Sequence, residues 1–186
     1  MSSKFIEVDK MRLIVPLAEG FEEIEAISII DVLRRANIKV DVVGVEDEIV
    51  SGRNEVKILC DKIISDVKPE DYDGIVLPGG NPGYKNLESN QQVINIIKAL
   101  NNKGKLVAAI CASPTILEKI GILEDKKATC NPGMKDKIKN FVDEKVVVDK
   151  NVITSQGPGT AIEFALEIVR FINPNVYDQL KKDLLV

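Results

Sequence analysis

The sequence predicts a three-layer α/β/α sandwich with a mostly parallel central sheet plus a β-hairpin, and three observations carry that prediction. Short apolar runs recur along the chain at residues 12–18, 40–45, 74–80, 105–112 and 146–157. Segments of helical periodicity lie between several of them. Strands alternating with helices need crossover connections, which set the strands in parallel and cover the sheet on both faces. The third observation is size: 186 residues, 45% hydrophobic and 29% charged, suit one globular domain with a core of its own. No repeat, linker or low-complexity stretch divides it.

Each element follows from its local pattern. "RLIVPLA" (12–18) reads as the first strand. Residues 22–36 then place Ala26, Ile29, Ile30, Leu33 and Ala36 at helical spacing, and Asn37 closes that helix. "VDVVGV" and "GIVLPGG" are the next strands. Residues 90–102 repeat the helical pattern with Val93, Ile96, Ile97 and Leu100. Residues 106–110 (Leu-Val-Ala-Ala-Ile) are continuously apolar, as a strand buried on both faces requires. Ser113, Pro114 and Thr115 read as a turn entering a helix. "VVVDKNVIT" reads as a hairpin turning at Asp149-Lys150-Asn151. Residues 160–172 form a helix with Thr160 as its expected N-cap. A last helix starts after Asn173, with Val176, Leu180 and Leu184 along one side. Residues 1–10 precede a second methionine, Met11, and read as an N-terminal extension or expression remnant, leaving 11–186 as the domain.

Composition excludes several classes. The net charge is 25 − 29 = −4, with no dense basic patch, so no dedicated nucleic-acid partner is expected. No apolar run reaches the roughly 18 residues that span a bilayer. The first ten residues lack the apolar stretch of an export signal. Three cysteines (Cys60, Cys111, Cys130) at unrelated spacings argue against a disulfide framework and against a metal site. A cytoplasmic setting is the expectation. The chain contains no histidine, which excludes a Cys-His dyad or a Ser-His-Asp triad within one subunit.

In open parallel sheets, sites form at the carboxyl ends of the strands. Four such ends carry unusual chemistry here. The first strand leads into "AEGFEEIE", with Glu19, Glu22, Glu23 and Glu25. Four acids would repel a phosphate, which disfavours a nucleotide or flavin cofactor, and no cofactor is expected. These glutamates either complement the helix dipole or, for Glu22 and Glu25 near the apolar stripe, hold a desolvated proton. The third strand leads into Gly79-Gly80, whose backbone amides can turn towards an oxyanion. The fourth leads into Cys111, on a strand-to-helix corner where following amides favour a thiolate. The last leads into Gly157-Pro158-Gly159.

Together, "GFEEIE", "DVLRRANIKV", "IVLPGGNPGYKNL", "AAICASP" and "TSQGPGTAIEFAL" make the chain resemble the DJ-one/ThiJ/PfpI family, in the branch of the Parkinson's-associated protein deglycase. The likeness runs in order from about residue 11 to 172. It implies a flavodoxin-like fold and a homodimer with the first helix at its interface. It implies that Cys111 is the nucleophile, Glu25 the functional carboxyl, and Gly80 and Ala112 backbone donors, with Gly79 beside them. It also puts Asn131 and Pro158 at the lining of the site. The chain departs from the family's pattern at three positions. Asn131 stands where many relatives carry His or Tyr, Ala112 where protease members carry His, and Gln156 where Arg is frequent. Peptidase activity is thereby disfavoured. Asn131 can only donate or accept hydrogen bonds and is expected to leave the titration of Cys111 almost unchanged.

The expected activity is that of a cofactor-independent cysteine enzyme acting on reactive carbonyls, a glutathione-independent glyoxalase or a deglycase that releases glycation adducts as lactate. The alternative is an oxidative-stress sensor or redox-regulated chaperone in which Cys111 becomes a sulfinate without turnover. In either case the thiol is expected to titrate low and Glu25 high.

Overall fold

A computed structural model describes residues 11–186, so the reading of 1–10 as an extension lies outside the described residues. The fold is a flavodoxin-like α/β sandwich. Its sheet contains β1 (Arg12–Leu17), β2 (Lys39–Gly44), β5 (Lys62–Ile63), β6 (Gly74–Leu77), β7 (Leu106–Ile110), β8 (Val146–Asp149) and β9 (Val152–Ser155), in the order β5-β2-β1-β6-β7-β9-β8. All pairs are parallel except β8 with β9, the hairpin expected around Lys150. Lys150 takes the left-handed backbone such a turn requires, φ 56°. A second, two-stranded antiparallel sheet pairs β3 (Ile49–Ser51) with β4 (Lys57–Leu59).

Side-chain alternation divides the core in two. Leu13, Val15 and Leu17 of β1 and Leu106, Ala108 and Ile110 of β7 face one layer, with α1 (Glu23–Arg35), α5 (Ala161–Ile172) and α6 (Pro174–Leu184). Ile14, Val107 and Ala109 face the other, with α3 (Gln91–Asn102) and α4 (Pro114–Lys119). Every residue of 106–110 is buried, as its continuous apolar run requires. On α1, Ala26, Ile29 and Leu33 are wholly buried, and each large aliphatic so placed contributes about 1.5–3 kcal/mol. Asn37 ends α1 with a left-handed φ of 59°.

One local expectation is corrected. The Thr160 hydroxyl does not cap α5; it bonds Ser155 Oγ at 2.6 Å and the Gly157 carbonyl at 2.9 Å, closing the 157–160 turn on itself. The helix expected after Ser113 is present and six residues long, and Cys111 sits three residues before it.

From β1 the chain passes to β2 on one side, while β6 lies on the other. The carboxyl ends of β1 and β6 therefore flank the switch point, where an α/β sheet leaves a crevice. β7 is the next strand along. Glu25 follows β1, Gly79 and Gly80 follow β6, and Cys111 follows β7.

Candidate active site

Cys111 is a non-glycine residue with φ 65°, in the left-handed region. Its two peptide groups hold it there. Its N–H donates to the Ser155 carbonyl of β9 at 3.0 Å, and its carbonyl accepts from the Asn131 N–H at 2.7 Å. Ser113 fixes the far side of the corner, its hydroxyl donating to the Pro78 carbonyl at 2.6 Å. The side chain is thus turned out of the strand line, half-buried, with the amides of Gly80 and Ala112 directed at its sulfur.

Glu25 is wholly buried. Its Oε2 accepts from the Gly79 N–H at 2.7 Å, and Oε1 has no hydrogen bond of its own. Gly79 was expected to offer its amide to a ligand; instead that amide is engaged by the carboxyl. Gly80 and Ala112 remain as the sulfur's backbone donors. Gly79 also leaves room: a Cβ there would lie 2.6 Å from Cys111 Cβ and 2.7 Å from Glu25 Oε2. Gly79→Ala should therefore force the thiol and the carboxyl apart. We expect turnover to fall by roughly a hundredfold or more, and steady-state kinetics beside a melting curve would separate that loss from unfolding. Gly80 has φ 98° and packs against the backbone of Gly20–Glu22, so it admits no side chain at all.

The other acids have different tasks. Glu19 accepts from the Ser51 N–H at 3.0 Å. Glu23 accepts from Asn54 N–H at 2.6 Å and from its side-chain amide at 2.9 Å, and these bonds hold its carboxyl below the usual range against burial. Glu22 pairs with Arg53 at 3.4 Å. Three glutamates thus clamp the β3–β4 hairpin loop onto the start of α1. Only Glu25 faces the thiol.

Burial pushes Glu25 up to about 7, opposed by the Gly79 N–H and the hydrogen bond with Cys111. Cys111 is pushed up to about 12, first by burial and then by the charge of Glu25 and the hydrogen bond to it; Gly80 and Ala112 pull the other way. The expected low thiol value is therefore overturned. The amides act as foreseen, but burial and a neighbouring carboxylate outweigh them. The two titrations are coupled and belong to the pair, with the carboxyl giving up its proton near neutrality and the thiol holding its own.

Asn131 stands beside the thiol, with Nδ2 at 3.9 Å from Sγ. Pro158 lines a groove of about 440 Å³ between α1, α5 and α6, with Ile24, Ile162 and Tyr177. Gln156 donates to Asp143 at 2.8 Å. A larger cavity of about 1060 Å³, lined by Arg12, Lys39 and Asp41, lies at the amino ends of β1 and β2, away from this chemistry. Arg53, whose charge lowers the Glu25 value, was missed from sequence. The turn-forming "SGRN" was the available signal.

Comparison with known proteins decides what this arrangement belongs to. The family model described as DJ-1/PfpI matches residues 11–171. The chain belongs to the DJ-1/PfpI family. Its relatives include Protein DJ-1 homolog A of Arabidopsis thaliana, 40% identical over 183 residues that cover 96% of this chain and 47% of that protein. It thus spans about half the length of that relative. Glutathione-independent glyoxalase DJR-1.2 of Caenorhabditis elegans is 38% identical over 180 residues, covering 94% of this chain and 96% of the relative. Among solved structures, Toxoplasma gondii DJ-1, oxidized, superposes with a TM-score of 0.91 at 40% identity, covering 94% of this chain and 98% of that one. As a DJ-1/PfpI member, the chain carries Glu25, Cys111 and the Gly79-Gly80 turn within the matched span. Among the described residues, no helix is long and apolar enough to cross a membrane.

Proposed function

We propose that this protein is a glutathione-independent glyoxalase of the cytosol, converting small 2-oxoaldehydes such as methylglyoxal to 2-hydroxy acids without a cofactor. The observation that carries the reading is a wholly buried carboxyl, titrating near neutrality, beside a thiol on a left-handed corner. A general base works best with a pKa near the operating pH. The C. elegans relative named a glyoxalase supports the same chemistry.

The steps balance within the substrate. Glu25 takes the Cys111 proton as the sulfur attacks the aldehyde carbon, and the carbonyl π electrons move to oxygen, held by the Gly80 and Ala112 N–H groups. Glu25 returns that proton to the oxygen, which completes a hemithioacetal and restores the carboxylate. Glu25 then removes the proton on the former aldehyde carbon, and the electron pair passes to the neighbouring ketone as an enediol. Return of a proton to the second carbon leaves a thioester, and water releases lactate and the free thiol. The first carbon is oxidised and the second reduced, so no external oxidant is needed. The same nucleophile on a glycated amine or thiol would give the deglycase outcome. The test is lactate formation from methylglyoxal by purified protein without glutathione; absence of lactate refutes the reading.

A second reading, peroxide sensing at Cys111, is favoured by its partial exposure, since Cys60 and Cys130 are buried. Sulfinate formation at Cys111 without lactate would select it.

A homodimer belongs to the proposal. Ile24 and Ile27 on α1 and Ile162 on α5 are 58%, 43% and 40% exposed, an apolar face beside the Pro158 groove. Light scattering at micromolar concentration should give twice the 20.5 kDa chain mass; a monomer mass contradicts it.

A further inference from the structure

We propose that Asn131 is a positioning residue for Cys111, holding an uncharged N–H donor on the sulfur so that the donors around the nucleophile never titrate. The proposal rests on Cys111 being the nucleophile, and its test uses no turnover. Asn131 is joined to Cys111 twice. Its backbone N–H donates to the Cys111 carbonyl at 2.7 Å, and its side-chain Nδ2 lies 3.9 Å from Sγ. Which end of a carboxamide faces a neighbour is decided by its hydrogen bonds. Here Oδ1 accepts from the Gly133 N–H at 3.0 Å, which leaves Nδ2 for the sulfur. Gly157 does not crowd the carboxamide, since even a Cβ there would stand 4.0 Å from Nδ2.

The groups facing Cys111 can be named by element. From α1 comes Glu25, with Glu22 and Arg53 acting on it from behind. The turn after β6 offers the Gly80 amide, the strand-to-helix corner the Ala112 amide, and β9 the Ser155 carbonyl. The 129–131 segment brings Asn131, with the buried thiol of Cys130 behind it. The chain has no imidazole. Glu25 is thus the one group in contact with the sulfur that changes charge near neutrality. A donor of constant charge on sulfur, or on the oxygen formed beside it, stabilises the anion equally on both sides of the Glu25 transition. The proposal thus departs from the expectation that Asn131 leaves the titration almost unchanged.

The test is the rate of Cys111 alkylation by iodoacetamide, read by peptide mass spectrometry across neutral and alkaline pH, in wild type, Asn131→Ser and Asn131→Asp. Serine and aspartate both serve as N-caps, so the Gly133 contact and the turn are kept. Serine removes the donor to sulfur without adding charge; aspartate replaces it with an acceptor. Loss of a hydrogen bond to an anion should slow labelling at neutral pH by roughly tenfold in Asn131→Ser and move the midpoint upwards. Asn131→Asp should go further in the same direction. A wild-type rate and midpoint in Asn131→Ser overturns the proposal, and so does an effect in Asn131→Asp alone, which charge would explain. Failure of wild type to make lactate would refute the enzymatic reading while leaving this result standing.

Discussion

Cys111→Ser should lose methylglyoxal turnover by about four to six orders of magnitude, the loss seen when a covalent nucleophile is removed. A serine hydroxyl at this corner keeps the left-handed backbone and its bonds to Ser155 and Asn131, so the fold should survive. It does not keep the chemistry. A hydroxyl is far less acidic than a thiol, and a carboxyl near 7 cannot deprotonate it to a useful extent. Serine is also smaller, so the site should neither swell nor clash. Steady-state lactate production, with a melting curve as control, checks both halves. Retained turnover in this variant would remove Cys111 from the mechanism.

Glu25→Gln should move activity and stability in opposite directions. Glutamine can still accept the Gly79 N–H but cannot carry a proton between carbons, so turnover should fall by roughly 10²–10⁴-fold. Stability follows from linkage. The carboxyl titrates at about 7 in the fold against 4.5 unfolded, so between those values the folded state binds the extra proton. The contribution is fully present below the unfolded value and is lost as pH rises through 4.5 to 7. Above that range the wild type bears a cost of about 3 kcal/mol that glutamine lacks. The variant should therefore melt roughly 6–10 °C higher at alkaline pH and show no gain from this source below the unfolded value. Alkylation of Cys111 should also shift to lower pH, because the opposing charge is gone. Equal melting temperatures at both ends of the pH range would refute the burial argument.

How much of this was legible in the sequence depends on whether a feature has a pattern. β1, α1, β6, α3, β7 and α5 repeat apolar residues at the period of their element, and they lie close to where that period puts them. β3 and β4 have three residues each, expose Ile49, Leu59 and Lys57, and turn only Val50 and Ile58 towards the core, too few to make a period. α2 (Gly83–Ser89) begins at a glycine after a proline and reads as a turn. In the site, periodicity narrowed the acids to Glu22 and Glu25, and only the family likeness chose Glu25. Gly79 was recognised as special for the wrong reason, since its amide serves the carboxyl. The thiol's titration was misjudged because an apolar run gives no measure of how deeply a corner is buried. Arg53 arrives from a hairpin that the pattern did not disclose.

The pinned backbone of Cys111 has a consequence for the protein's life before it is folded. The corner exists only when β7, β9 and the 129–131 segment have met, because each supplies part of what holds it. In a newly made or damaged chain, all three cysteines are ordinary thiols near 9.0, whereas in the fold they stand at about 11, 12 and 11. Completing the tertiary structure therefore makes all three sulfurs poorer thiolates, and under the proposed mechanism Cys111 alone would react, by passing its proton to Glu25 as it attacks.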